Sequence, residues 1–414
     1  MAKRLAVLTA GGDVPGQNYC LKTLVHLADD RGFETIGIRK GWEGLVRYNP
    51  EDPTTHSDNV TLLTPARVRD IDRLGGSYLH SSRIDPARVA PQVLPSFFGS
   101  LRQSAEPVDL TGHIRRVIER LQIECLIVLG DNRALRYAAT LSELGLPIIG
   151  IPKSAHNDVN GSHYCLGFST ALARGVQFVH EVRAMAGSRE EVAVVEVLGR
   201  SSGLTTLLIS ALAGADRTLI PEVPFDPEQL AALLVQDKRS NPSNYAIVAM
   251  SQGAKVAPDK AMQYAPALSR LAQSSLLAQV TAVKAQEVGV TRDEYTLAGA
   301  TQMGTQVSGA GAAVTEILEQ LLGQRLIFQP LSYLIRTGQP DGQDLLGAAN
   351  FATLAMEVLG RSQVGRLAAY RRGDNYVDLP LAIVNQPDDG VPTAALYDAR
   401  TFSPRPGIWW AVRF

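Results

Sequence analysis

Short apolar runs alternate along this chain with longer stretches of helical periodicity. Arg4–Thr9 is a strand-like run that ends at Gly11-Gly12, and Gln17–Arg31 follows with helical spacing. Glu34–Arg39, Leu126–Leu129 before Gly130, Pro147–Ile151 before Pro152, Val192–Val197 and Ala246–Met250 are further strand-like runs. Continuous apolar strands separated by helices predict an α/β fold, a parallel sheet with helices on both faces. In such sheets ligands collect at the C-terminal ends of the strands. This sequence places Gly, Asp and Lys residues at those ends. Residues 84–112 are broken by Pro and Gly and read as irregular. Residues 255–310 are rich in Ala, Gln, Ser and Thr and read as helical, with a Gly-rich loop near 304–312. No short-period repeat is present, and composition alone does not mark a domain boundary.

The 414 residues suffice for two domains of ordinary size. With 40 basic and 41 acidic residues the net charge is −1, which gives no field for nucleic acid or an anionic membrane. An anionic ligand must therefore be held by local charges. Cys20, Cys125 and Cys165 lie far apart in apolar stretches, as expected of buried reduced thiols rather than a disulfide or a metal site. The start, MAKRLAVLTAGGD, has too few apolar residues before its glycine pair for a signal peptide, and no apolar run approaches a membrane span. The cytoplasm is the expected compartment.

Several motifs follow in order. LTAGGDVPGQN (Leu8–Asn18) is a strand-to-helix turn in which Gly11 and Gly12 let backbone approach a phosphate at a helix N-terminus. GGSYLHSSR (Gly75–Arg83) is a second loop, whose arginine is read either as a phosphate partner or as a solvated surface charge. LGDNRAL (Leu129–Leu135) and PKSAHNDVNGSHYCLGFSTA (Pro152–Ala171) are the most specific. VVEVLGRSSG and AGADRTLIPEVPFD (within Val194–Asp226), NYAIVAMSQGA (Asn244–Ala254) and SYLIRTGQPDGQD (Ser332–Asp344) complete the series. In this order and spacing the chain resembles the phosphofructokinases over about residues 4–375.

The resemblance implies a two-lobed fold. A donor-side lobe is expected over about 1–150, an acceptor-side lobe with interface helices over 151–375, and a C-terminal extension over 376–414. It also implies transfer of a phosphoryl group to the 1-hydroxyl of fructose 6-phosphate or a related sugar phosphate. Such transfer needs charge neutralisation, alignment and a proton acceptor. On the donor side the motif positions are Gly11, Gly12, Arg83, Gly130, Asn132 and Lys153. Asp131 matches a Mg²⁺-side aspartate. Asp158 and Arg200 match catalytic positions. Ser154, Leu198, Gly199, Glu222, Tyr333 and Arg336 match sugar-phosphate-side positions. Each charged residue is also explicable as a structural ion pair or a solvated charge. Lys153, and Asn132 in place of the small glycine of nucleotide users, favour pyrophosphate over ATP as donor.

The sequence departs from the family where chemistry is concentrated. His156 replaces the catalytic-loop aspartate that acts as base. Imidazole can accept a proton near neutral pH, with an ordinary pKa of about 6.5, so His156 either replaces that base or marks a dead site. Glu191 stands where a neighbouring subunit's phosphate-binding arginine is expected, with Arg189 two residues earlier. Ile327 stands where a second is expected, with Arg325 nearby. Tyr333 replaces a histidine and Gln252 a glutamate, and Ala300–Ala312 lacks the expected motif. Two main readings stay open: a weak or altered phosphotransferase, and a non-catalytic regulatory chain or pseudoenzyme that pairs with an active paralogue. A kinase with a changed acceptor is a third. Self-association or a hetero-oligomer is expected in either main case.

Overall fold

The structure is a computed structural model and describes residues 3–264, 310–386 and 391–405. The chain divides into two compact units. One takes Met1–Ala171 and Arg336–Asp388, the other Leu172–Ile335 and Asp389–Val412. Most of the reading of 255–310 as helix and Gly-rich loop falls on residues outside those described.

In the first unit, β1 (Lys3–Ala10), α1 (Gln17–Asp29), β2 (Phe33–Ile38) and β3 (Val60–Leu63) lead through irregular turns to α2 (Thr111–Arg120). Then come β4 (Ile123–Gly130), α3 (Asn132–Glu143) and β5 (Ile148–Pro152). The seven-stranded sheet has the order β11-β10-β5-β4-β1-β2-β3, where β10 is Arg366–Arg371 and β11 Asn375–Pro380. β10, β5, β4, β1 and β2 run parallel to one another, while the edge strands β3 and β11 pair antiparallel with β2 and β10. Leu5–Leu8 and Cys125–Leu129 are sealed from water, which is why they read as unbroken apolar runs rather than alternating ones. The edge strands escaped the sequence reading. Asn375–Pro380 is polar and partly exposed, so it carries no apolar run.

The second unit holds a four-stranded parallel sheet of order β7-β8-β6-β9. It comprises β6 (Val192–Val197), β7 (Arg217–Leu219), β8 (Ala246–Ser251) and β9 (Ile327–Pro330). The helix α4 (Phe168–Arg189) precedes β6, α5 (Leu204–Ala213) and α6 (Pro227–Ser240) flank β7, and α7 (Gly311–Leu322) precedes β9. Asp226 caps α6 by accepting from Glu228 N and Gln229 N, with Pro227 at the first helical position. The helix α8 (Gly342–Gly360) belongs to the first unit and packs on its sheet.

The central strand β4 offers a direct check on where the core lies. Ile127 has no exposed surface, so Ile127→Ala leaves a cavity and should lower unfolding free energy by about 2–5 kcal/mol. Glu124, on the same strand, is 39% exposed and paired to Lys3 at the surface, and Glu124→Ala should change it by less than about 0.5 kcal/mol. Urea unfolding of the two variants measures the contrast; equal losses would remove β4 from the core.

Candidate functional site

Three strands of the first sheet end side by side. Ala10 of β1 pairs with Gly130 of β4, and Gly130 with Pro152 of β5. The next residues along these strands are Gly11, Asp131 and Lys153, so one register sets their loops at a common edge. Gly11 has a φ of 83°, and a Cβ on it would collide with the Asp131 carboxylate. A Cβ on Gly12 would collide with the Arg336 guanidinium and stand 3.5 Å from Nη2 of Arg83. Gly11 is thus required by its backbone conformation and the carboxylate beside it, while Gly12 leaves room for the Arg336 guanidinium. Gly11 N donates to Ser82 O at 3.1 Å, and Ser81 Oγ donates to Gly11 O at 2.5 Å, so the turn is fixed to the segment that carries Arg83.

Lys153 lies beneath this turn with no exposed surface, and its Nζ donates to Gly12 O at 2.6 Å. Burial pushes its pKa down from 10.5 to about 8; Asp131 and Asp13 oppose the shift, and Arg336 and Arg83 add to it. Asp13 follows the glycine pair in the motif but was given no role from sequence. Its Oδ1 is buried without a hydrogen-bond partner. Asp131 caps α3, its Oδ1 accepting from Ala134 N at 3.0 Å, while Oδ2 approaches Gly11. The cap by itself accounts for one oxygen of that aspartate. Asn132 opens α3, and its Oδ1 is buried and unpartnered; turning the amide over would present the Nδ2 donors instead.

The loop after Lys153 is closed on itself. Ser154 N donates to Leu166 O at 3.1 Å, and Leu166 N to Pro152 O at 3.0 Å. Asn157, with a φ of 55°, donates Nδ2 to His163 O and accepts from Cys165 N. Ser154 Oγ donates to Asp158 Oδ1 at 2.5 Å and accepts from His156 N at 3.1 Å. His156 is thereby turned to Arg336, whose Nη2 lies 2.9 Å from its Nε2. A guanidinium nitrogen can only donate, so in this contact Nε2 is the acceptor. Among the described residues no group of three or more His, Cys, Asp or Glu is placed to hold a metal ion by itself.

The second unit places its expected residues at the two ends of its sheet. Leu198, Gly199 and Arg200 follow β6, Glu222 follows β7, and Gln252 follows β8, all at the C-terminal edge. Gly199 has a φ of 135° and accepts from Gly253 N at 2.9 Å. Glu222 Oε1 accepts from Gly203 N at 2.8 Å, just before α5, so one oxygen orders that turn. Gln252 donates to Ser332 Oγ at 3.3 Å, beside Tyr333 in the turn after β9. Glu191 precedes β6 and Ile327 begins β9, so both lie at the opposite, N-terminal edge. Six residues of strand span roughly 20 Å, and within this unit Glu191, Ile327 and Arg325 do not join Leu198 and Glu222.

The sequence profile described as Phosphofructokinase matches residues 4–359. The chain belongs to the phosphofructokinase family. ATP-dependent 6-phosphofructokinase 2 of Streptomyces coelicolor is 30% identical over 383 residues, covering 92% of this chain and 94% of the relative. A pyrophosphate-dependent phosphofructokinase from Marinobacter aquaeolei superposes with a TM-score of 0.69 at 16% identity, covering 98% of this chain and 89% of that one. Phosphofructokinase from Saccharomyces cerevisiae gives a TM-score of 0.64 at 20% identity over 92% of this chain, which spans only 45% of the yeast chain. These superpositions establish the phosphofructokinase fold. No helix among the described residues is long and apolar enough to cross a membrane.

In this phosphofructokinase-family chain the charges around Lys153 can be read out one at a time. Because the folded pKa lies below the ordinary lysine value, the folded state binds fewer protons than the unfolded one between about pH 8 and 10.5, and stability rises with pH across that window. An NMR titration of the lysine Nζ signals should show one midpoint near 8. Asp131→Asn should move it lower and Arg336→Ala higher, since these groups act with opposite sign. A Lys153 midpoint at the ordinary value would contradict its burial.

Proposed function

We propose that this chain is a phosphotransferase with a complete donor side and an impaired proton-accepting step. It takes a phosphoryl group from pyrophosphate in preference to ATP and passes it slowly to the 1-hydroxyl of fructose 6-phosphate or a related sugar phosphate. The observation that carries this reading is the charge around the glycine turn. Lys153, Arg83 and Arg336 converge there with Asp13 and Asp131. Cations from separate segments around one backbone turn suit a polyanion. The buried, compact ammonium suits a short donor, and Asn132 occupies room that an inner nucleotide phosphate would need.

Mg²⁺ fits this site in the manner usual for phosphate chemistry, through one or two carboxylates together with water and the substrate's own oxygens. Asp131 and Asp13 would hold it, and the unpartnered Oδ1 of Asp13 is suited to a water of its shell. Bound there, the ion would neutralise charge on the donor. The rest falls to the chain. Lys153 and the arginines hold the donor phosphates. Leu198, Gly199, Glu222, Tyr333 and Ser154 keep the sugar-side roles, and Arg200 the catalytic role, that the resemblance to the family gives them. Glu191 and Arg325 are at the far edge of their sheet, so their contribution falls to a second chain, of this protein or of an active paralogue.

The weakness lies in the proton. With Nε2 of His156 accepting from Arg336, the lone pair of that nitrogen is taken and is not open to the sugar hydroxyl. Asp158, whose Oδ1 accepts from Ser154, stands at the loop's second acidic position and not at that of the family's base. Losing a positioned base costs about 10²- to 10⁴-fold. The same contact favours the second reading, a regulatory chain that binds sugar phosphate without turnover.

Turnover with fructose 6-phosphate and pyrophosphate should be slow in the wild type and unchanged in His156→Ala. His156→Asp should raise it by about 10²–10⁴-fold. If neither variant turns over, while His156→Asp combined with Glu191→Arg does, the acceptor side has been lost as well and the regulatory reading gains. Fast wild-type turnover that His156→Ala abolishes would make His156 the working base and end the proposal of an impaired step. On the donor side, Asn132→Gly should gain use of ATP relative to pyrophosphate. An unaltered donor ratio in coupled assays would dismiss the steric argument.

A further inference from the structure

Asp344, the last residue of the Ser332–Asp344 motif, has no exposed surface and was given no role from sequence. Its carboxylate accepts four hydrogen bonds, all from the end of the loop that carries His156. Oδ1 accepts from Tyr164 Oη and from Gly167 N, the latter at 2.7 Å. Oδ2 accepts from Thr170 N at 2.8 Å and from Thr170 Oγ1 at 2.5 Å. Four donors around two oxygens suit an ionised carboxylate. Burial pushes the pKa of Asp344 up, and the bonds from Thr170 and Tyr164 pull against it. No cation faces it among the described ion pairs. The first turn of α4, where Thr170 lies, points its N–H groups at the carboxylate, and Asp344 itself sits in the first turn of α8. Two helix N-termini offset the charge where no cation does.

Asp341 ties the same two segments together. Its Oδ1 caps α8 by accepting from Asp344 N, its Oδ2 accepts from Ser169 Oγ at 2.7 Å, and its N donates to Thr170 Oγ1 at 2.9 Å. On one side of this clamp the chain runs back from Gly167 to His156 and Lys153. On the other it runs back from Asp341 to Arg336. The two strands of chain meet again at the His156–Arg336 bond. The arrangement is a closed frame with the clamp at one end and the charged site at the other.

We propose that Asp344 is a positioning residue for the phosphate site: by holding Gly167 and Thr170 against the Arg336–Asp341 segment, it sets Arg336 against His156 and Gly12. The inference rests on the reading of Arg336 as a phosphate-binding group. Asparagine at this position has the shape of aspartate, but its amide would turn two donors toward Thr170 N–H and the Thr170 hydroxyl. The frame would then shift by the relief of that conflict.

The test uses the full chain and two readouts. Without ligand, the ¹⁵N shifts of the His156 ring, assigned by their loss in His156→Ala, report whether Nε2 is held as an acceptor. Asp344→Asn should alter them while circular dichroism still shows a folded protein. With pyrophosphate as probe, calorimetry on Asp344→Asn, Arg336→Ala and the double variant forms a cycle. Each single change should weaken binding by about tenfold or more, and the double variant should be little worse than Arg336→Ala alone, a coupling of the size contacting groups show. Thr170→Val, which removes one hydroxyl from Asp344, carries both readouts if Asp344→Asn does not fold. Unchanged His156 shifts in a folded variant, or losses that simply add, would overturn the proposal and leave phosphate binding standing. Failure of the wild type to bind pyrophosphate would sink the functional reading instead, and the imidazole shifts would still decide the role of Asp344.

Discussion

A lysine ammonium sealed from water is the constraint around which the first unit is arranged. Lys153 cannot keep its charge there cheaply, and its lowered pKa records the strain. What holds it is the carbonyl of Gly12 and the two aspartates, Asp13 and Asp131, across the strand ends. That requirement propagates outward. The turn must bring a carbonyl to the ammonium, so Gly11 adopts a left-handed backbone. Side chains crowd the same turn: a Cβ on Gly11 would meet the Asp131 carboxylate, and one on Gly12 would displace the Arg336 guanidinium. The register Ala10, Gly130 and Pro152 aligns the three loops before any side chain is considered. A polyanion entering this site would supply the negative charge that the fold leaves short.

The His156–Arg336 bond is the contact on which the proposed impairment of proton transfer rests. Aspartate beside Arg336 would form an ion pair and still keep acceptor oxygens for a hydroxyl proton. Imidazole has a single lone pair, and the guanidinium takes it. The loop uses the backbone of His156 and not its ring in the bond to Ser154. Its shape depends on Asn157, on the Leu166 backbone bonds and on Ser154 with Asp158. On the proposed reading, the loop keeps its shape whether or not the residue at position 156 can serve as a base.

Much of this was legible in the sequence, for identifiable reasons. Strands buried on both faces read as apolar runs, so Val192–Val197 was delimited to the residue. The Gly-Asp-Lys strand ends were visible because parallel sheets put function there. Asp13 was passed over because Asx residues after glycine turns are common, and only its unpartnered buried oxygen sets it apart. Arg336 was expected at the sugar phosphate; its place beside Gly12 and Arg83 depends on chain more than 180 residues apart coming together. The Asp344 clamp was illegible for the same reason, since its donors lie 174 to 180 residues earlier. The short antiparallel edges β3 and β11 carry too little apolar pattern to announce themselves.

Isothermal titration of pyrophosphate into the wild-type chain and into Lys153→Met, across pH 7 to 9.5, tests the central claim that a buried, titrating lysine organises an anion site. The account predicts wild-type binding that weakens above about pH 8, with log K falling toward about one unit per pH unit as the ammonium loses its proton. Lys153→Met should bind far more weakly and without that slope. Equal affinity in the two proteins, or a wild-type affinity that rises through this range, would contradict it.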